Sequence, residues 1–429
     1  MEKVIRILVL TVFAFFAMLF IGCGNADEVT NYTIVYSDND ALEYVNHGKN
    51  TDEKTIYELG SNGKTVAAYA ALAMVEEGIL SLDEKIASYL DADLLTNDER
   101  LKEITLRQLL CHTAGFSPSY ELGVDKKIYS DPGAEFRYSG VGYIYLQNVI
   151  EKASNMPVEQ AAGKYVFEPL GMKNSTFENA KTITPHMNLG NAVLYALAVF
   201  AAAFLVLSVL ALVIGRITKR KAYKFKHAFL ICFLLAGVIN AVVLLVVLAN
   251  LSKVCFLFLA CFLIMGILLF LTWKKTVLFY VAAPSFLLLV ILLGSVIPAT
   301  IPVTNDLVHG KANVAYSFKS NGEDMALFCK ALMGKMKEED SAFREMFLPN
   351  VKIDEKNSWG LGIAMEYVGE SQMTYWHSGI NPGFQSLYVL YPKENKYVAV
   401  MTNSDKGLDF AKDVARSFLG VTCDWDIKR

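Results

Sequence analysis

Four long apolar runs in the middle of the chain, at about residues 189–215, 228–249, 254–272 and 276–298, constrain this protein more than any other feature. Each is long enough, as a helix rising about 1.5 Å per residue, to cross about 30 Å of hydrocarbon. The connections set an orientation. RITKRKAYKFKH (216–227) carries six Lys and Arg and WKK (273–275) carries two, whereas NLSK (250–253) carries one. Positively charged connections stay in the cytoplasm, so the first and third are cytoplasmic. An even number of spans then returns the chain to the exterior. Buried core helices of a soluble protein would not alternate near-continuous apolar runs with short charged loops. Almost nothing ionisable lies inside the runs, so the bundle reads as an anchor, not an ion path.

The N-terminus, MEKVIRILVLTVFAFFAMLFIGC, places Lys3 and Arg6 before an uncharged run from Ile7 to Ile21 and then Gly22-Cys23. That order is a secretory leader, and the run is short for a span of about 20 residues. Leu19-Phe20-Ile21-Gly22-Cys23 reads as a lipobox whose Cys23 is lipid-modified, with an uncleaved anchor as the alternative. The leader and bundle account for the 54% apolar composition. They divide the chain into a leader (1–23), a first exterior part (24–186), four spans (187–299) and a second exterior part (300–429). Both exterior parts face the same side, and together they suffice for one sizeable domain. The net charge of −3 gives no footprint for nucleic acid. Seven scattered cysteines form no Cys-x-x-Cys and no zinc spacing, so neither a disulfide framework, a metal nor another cofactor is expected. Membrane lipid is the expected partner of the anchor.

In the first exterior part, YTIVYSDNDALEYVNHG (32–48) alternates around Asp38-Asn39-Asp40 and predicts a hairpin. Val66, Ala67, Ala70, Ala71 and Met74 recur at helical spacing after Ser61, and Gly78 ends the pattern. Ser61 and Lys64 then share a helix face one turn apart. A serine at a helix start keeps a forward-pointing backbone N–H for an oxyanion, and a desolvated lysine can help to deprotonate its hydroxyl. Ser-x-x-Lys also arises by chance as a capping serine with a solvated lysine, although this is the only such pair in the chain. Downstream, GILSLDEKIASYLD and ITLRQLLCHTAGF (104–116) predict helices, the second closing at a glycine. Pro-Gly turn chemistry precedes Tyr138-Ser139-Gly140 and an amphipathic helix. In the second exterior part, FKSNGEDMALFCKALM predicts a helix. QMTYWHSGINPGFQSLYVLYPKENKYVAVMTN predicts two strands flanking Lys393-Glu394-Asn395, with His377-Ser378-Gly379 ending the first.

Five blocks in this order, ELGSNGKTVAAYAALAMVEEGILSLDEKIASYL, ITLRQLLCHTAGF, GAEFRYSGVGY, EPLGMKNSTF and WHSGINPGFQS, resemble the serine β-lactamase-related family. This is the class C β-lactamase, D-aminopeptidase and esterase branch of the penicillin-recognising serine hydrolases. The resemblance implies an α+β, β-lactamase/transpeptidase-like fold: an antiparallel sheet flanked by helices, with a helical subdomain. Here that fold is discontinuous and interrupted by the transmembrane bundle. It further implies Ser61 as the acyl-accepting nucleophile, Lys64 as its activating neighbour and Tyr138 as general base and proton return. His377, Ser378 and Gly379 take the place of the Lys-Thr-Gly strand. Gly379 would allow close approach of substrate, and the Ile380 N–H would join that of Ser61 in an oxyanion hole. His112 is expected to be structural.

Three departures bear on the substrate. Gly140 stands where such proteins usually have an Asn that bonds the lysine and the substrate amide. His377 replaces a permanently charged Lys and is mostly neutral at pH 7. Only 38 residues separate Cys23 from Ser61 (61 − 23), so the usual opening helix and one strand look absent. The first two point away from β-lactam hydrolysis and toward a peptidase, amidase or esterase on the extracytoplasmic side of the membrane, acting on a small peptide, amide or ester. The alternatives are an acylation-dependent sensor and a non-catalytic binding protein. A sensor would have only the 12-residue basic loop as a sizeable cytoplasmic output, and no H-E-x-x-H protease motif occurs.

Overall fold

The computed structural model describes residues 29–95, 98–116, 127–183, 312–369 and 372–427. All belong to one compact unit built from Asp27–Met187 and Thr304–Arg429. The leader, Cys23 and the four apolar runs lie outside the described residues. Among the described residues, no helix is long and apolar enough to cross a membrane.

The alternating segment forms the expected hairpin, with β1 (Tyr32–Asp38) and β2 (Ala41–His47) paired along their whole length. Asn39 and Asp40 make the turn at φ 49° and 70°, a left-handed conformation that Asn and Asp tolerate. β3 (Tyr57–Gly60) then leads into α1 (Gly63–Glu76). The Ala-rich sequence favours helix. Every residue from Gly63 to Leu72 is buried, as is Met74, so α1 is a central helix enclosed on all sides. Complete burial of Val66, Leu72 and Met74 contributes on the order of 1.5–3 kcal/mol each. α2 (Leu106–Leu110) opens on a reciprocal cap between Thr105 and Gln108. α3 (Gly140–Ser154) begins at Ser139, whose hydroxyl accepts the Gly142 amide at 3.0 Å.

In the second part, β4 (Phe318–Ser320) pairs antiparallel with β3, and Asn321 caps α4 (Gly322–Lys335) by accepting the Asp324 amide at 2.9 Å. There follow β5 (Val351–Lys352), β6 (Asn357–Trp359), β7 (Ala364–Val368), β8 (Gln372–Asn381), β9 (Phe384–Tyr391), β10 (Lys396–Thr402) and α5 (Gly407–Leu419). These strands and the hairpin build an eight-stranded antiparallel sheet in the order β2-β1-β10-β9-β8-β7-β6-β5. α5 packs on β9 and β10, and α4 on β1 and β10. This is the expected α+β arrangement. The two parts of the chain are joined away from the sheet as well. Asp324, 2% exposed, accepts the Asn174 amide at 2.7 Å and the Ser175 hydroxyl at 2.8 Å.

Four local expectations differ from what forms. GILSLDEKIASYLD makes only a short turn of 3₁₀ helix at Ile86–Ser88. The incoming segment takes its backbone groups: Ile86 donates to Ile104, Leu106 to Glu84 and Arg107 to Leu82. The helix in ITLRQLLCHTAGF stops at Leu110, five residues before Gly115, because His112 turns left-handed at φ 58°. FKS is strand β4 and not the head of a helix, since it has β3 beside it. The final segment yields three strands, with a turn at Pro382-Gly383, and His377-Ser378-Gly379 lies within β8 instead of at its end.

Candidate active site

Ser61 sits in the tight turn between β3 and α1. The Asn62 amide donates to Leu59 at 3.1 Å and the Lys64 amide to the Ser61 carbonyl at 3.0 Å. The Asn62 side chain donates to the Ser386 hydroxyl on β9 at 2.9 Å, fixing the turn against the sheet. Lys64 lies one turn on, as its spacing predicts, and its Nζ donates to Ser61 Oγ at 3.0 Å. The side chain is completely buried. An ammonium held there needs strong compensation, because desolvating a charge costs several kcal/mol, roughly. Part comes from the Ala315 carbonyl, which accepts from Lys64 Nζ at 2.5 Å and also receives Ser61 Oγ at 3.4 Å. Aromatic faces supply more: Nζ lies 5.1 Å from the Tyr138 ring centroid and 5.7 Å from that of Tyr143. Burial pushes the Tyr143 phenol well above its ordinary pKa. It therefore stays a hydroxyl, donating to the Leu110 carbonyl at 3.1 Å.

Tyr138, 8% exposed, immediately precedes the capping Ser139 of α3. Its ring packs at 4.4 Å on His112, at 5.7 Å on Trp359 and at 6.2 Å on His377. Gly140 is buried as the first residue of α3 and contributes no side-chain polar group where an Asn would reach.

The opposite wall is β8. His377 is 2% exposed, and its Nδ1 lies 2.8 Å from the Ser378 carbonyl. A carbonyl can only accept, so that contact is a hydrogen bond when Nδ1 bears the proton. Ser378 is buried and Ile380 is 39% exposed. Gly379 is needed for packing within the protein itself. A Cβ there would lie 1.8 Å from the Leu59 carbonyl of β3, so its missing side chain admits the protein's own backbone. The same close approach brings the Ile380 nitrogen to 3.2 Å from where a Cβ on Gly60 would lie, next to the peptide that leads into Ser61. Gly60 itself holds a left-handed φ of 50°.

Ser61, Lys64, Tyr138, His377, Ser378, Gly379 and Ile380 thus converge, with Gly140 at their margin and Cys23 outside the described residues. Sequence reasoning missed four participants. Ala315 and Leu59 act through carbonyls that carry no residue code, and Ser386 is an unremarked strand residue. Trp359, 1% exposed beside both Tyr138 and His377, stood in no block. His112 was expected to be structural, and it lies directly against Tyr138.

A buried lysine on a serine at the head of a central helix, beside an antiparallel sheet, defines the Ser-x-x-Lys class of serine hydrolases. The family comparison is consistent: the profile of the Beta-lactamase family matches residues 29–186 and 298–420, and the chain belongs to that family. Protein flp of Staphylococcus aureus is 26% identical over 153 residues, 32% of this chain and 31% of that protein. A putative D-alanyl-D-alanine carboxypeptidase of Escherichia coli K12 is 29% identical over 147 residues, 29% of this chain and 34% of that protein. The aligned stretch therefore spans about a third of these curated relatives. Among solved structures, the β-lactamase/D-alanine carboxypeptidase of Pseudomonas syringae superposes with a TM-score of 0.60 at 13% identity, covering 96% of this chain and 100% of that one. A D-stereospecific amidohydrolase of Streptomyces superposes with a TM-score of 0.57 at 16% identity, covering 92% and 96%. At such identities the likeness is one of fold.

Proposed function

We propose that this chain is a membrane-anchored, extracytoplasmic serine hydrolase that cleaves small peptides, amides or esters through an acyl-enzyme on Ser61. The observation that carries the reading is the 3.0 Å hydrogen bond from the fully buried Lys64 Nζ to Ser61 Oγ. Tyr138, as a phenolate stabilised by the Lys64 ammonium, takes the hydroxyl proton as Oγ attacks the substrate carbonyl carbon. The N–H groups of Ser61 and Ile380 receive the oxyanion of the tetrahedral intermediate. Tyr138 returns the proton to the leaving group, and water then hydrolyses the ester on Ser61. His377 carries no permanent positive charge when its ring is neutral, and Gly140 offers no amide side chain. Both features favour amide and ester substrates over β-lactams, and the relative named as a putative D-alanyl-D-alanine carboxypeptidase is in keeping with an amide substrate. The leader, with Cys23 as its lipid-modified residue, and the four apolar runs motivate the anchoring, with both hydrolase parts outside.

The test is intact-mass analysis of the full chain after incubation with a fluorophosphonate, alongside Ser61→Ala, followed by turnover assays on chromogenic esters and D-amino-acid amides. One adduct on the wild type and none on Ser61→Ala is the expected result. A folded wild type that stays unlabelled overturns the reading.

A further inference from the structure

We propose that His112 is the positioning residue of this site: as a neutral imidazole with its proton on Nε2, it clamps both neighbours of Tyr138 and orients the phenol ring toward Lys64. The inference rests on Tyr138 serving in proton transfer, as proposed above. His112 is 2% exposed and holds a left-handed φ of 58°, which non-glycine residues sustain only where their surroundings over-determine it. Two contacts supply that determination. Its carbonyl accepts the Arg137 amide at 2.7 Å, and its Nδ1 accepts the Ser139 amide at 3.1 Å. The residues on either side of Tyr138 are therefore both bonded to one residue of another segment. The imidazole also covers the Tyr138 ring at 4.4 Å, with 38° between the planes. The Ser139 bond fixes the peptide plane that leaves Tyr138, the Arg137 bond fixes the one that leads into Arg137, and the ring contact limits the rotation of the Tyr138 side chain. The phenol face that results is the one 5.1 Å from Lys64 Nζ.

The tautomer follows from the donor. The Ser139 N–H points at Nδ1, so that nitrogen presents a lone pair and the ring proton sits on Nε2. A proton on Nδ1 would take away the acceptor of the Ser139 amide. His112 acts on the backbone of Tyr138 and on its ring, and touches no reacting atom in the proposed mechanism.

Two substitutions separate positioning from mere packing. In His112→Asn the side-chain oxygen takes the place of Nδ1, and Asn tolerates the left-handed backbone. In His112→Gln the oxygen reaches toward the former Nε2 position and leaves the Ser139 amide without its acceptor. Acylation of Ser61 by fluorophosphonate in the full chain is expected to fall only modestly in His112→Asn, which loses the ring contact and keeps the acceptor for the Ser139 amide. In His112→Gln it is expected to fall by about 10²-fold, the scale of a small misplacement of a reacting group. Thermal midpoints are recorded for both variants, because Gln tolerates this backbone less well. Equal rates in the two folded variants overturn the proposal. ¹⁵N NMR of histidine-labelled protein provides an arm independent of catalysis, with the His112 signals assigned by their loss in His112→Asn. Nδ1 is expected bare and Nε2 protonated, and a proton on Nδ1 overturns the proposal. Hydrogen exchange at the Ser139 amide should stay slow in His112→Asn, which keeps an acceptor for it, and speed up in His112→Gln, which does not. If wild-type Ser61 is never labelled, the hydrolase reading fails, and exchange at the Ser139 amide still decides whether His112 holds the backbone beside Tyr138.

Discussion

The two parts of the hydrolase unit contribute to the site in different ways. Residues 29–183 supply side chains with chemistry: Ser61, Lys64, Tyr138 and His112. Residues 312–427 supply mainly backbone: the Ala315 carbonyl on Lys64, the Ile380 amide near Gly60 and the bare Cα of Gly379 against Leu59. The first part holds reactive groups that water would level, and the second part dries and aims them. Side-chain chemistry can be lost with the fold intact. Backbone placement cannot be edited without disturbing the fold.

That contrast orders the expected effects of mutation. Lys64→Met, on the chemical side, should slow Ser61 acylation by about 10²- to 10⁴-fold, the usual worth of acid–base assistance. Its thermal midpoint should stay level or rise, because a buried ammonium gives way to a methionine of similar length. A large fall in the midpoint would mean that Lys64 also holds the fold. Gly379→Ala, on the backbone side, should do the reverse. A methyl 1.8 Å from the Leu59 carbonyl must push β3 and β8 apart. That should cost about 3 kcal/mol or more, at the upper end of overpacking, read as a shift in the denaturation midpoint. Labelling should then weaken along with stability.

Asp324→Ala tests the seam between the parts. It strips the acceptor from the Asn174 amide and the Ser175 hydroxyl, and should cost about 2–4 kcal/mol in the same denaturation assay with little change in the labelling rate of folded protein. The smallest effect is at the surface. Arg107 donates to Asp83 at 2.7 and 3.0 Å and reaches Glu345 of the second part at 2.8 Å. These hydrogen bonds hold the Asp83 carboxyl below its ordinary value of 3.8. Its folded value is the depressed one, so the stabilisation is present above the ordinary value and lost as pH falls through the lower one. Asp83→Asn should cost less than about 1 kcal/mol near neutrality, and the gap from wild type should close in acid. A gap that widens in acid would break the assignment.

Much of the site was legible because side-chain identity and spacing carried it. Three residues between Ser61 and Lys64 suffice to stack them on one face once a helix forms, and the Ala-rich sequence after them makes that helix. The hairpin at 32–48 was legible for a similar reason, since strict alternation and Asn39-Asp40 are local signals. Expectations failed where the deciding partner was distant in sequence. GILSLDEKIASYLD carries a helical pattern, but the segment 104–107 claims its backbone groups. FKS looks like the head of a helix until β3, some 260 residues earlier, pairs with it. His112 carries no local mark of its left-handed turn, because Arg137 and Ser139 impose it.

The sequence by itself determined the one-turn spacing of Ser61 and Lys64, the place of Tyr138 in its block and the four apolar runs. Each depends on residue type at short spacing, which primary structure records directly. Tertiary structure alone decided that a carbonyl at Ala315 would hold Lys64, that Gly379 would be filled by the chain's own backbone, and that one histidine would brace both sides of Tyr138. Backbone amides and carbonyls are the same at every non-proline position, so only the fold distinguishes the few that meet a reactive side chain.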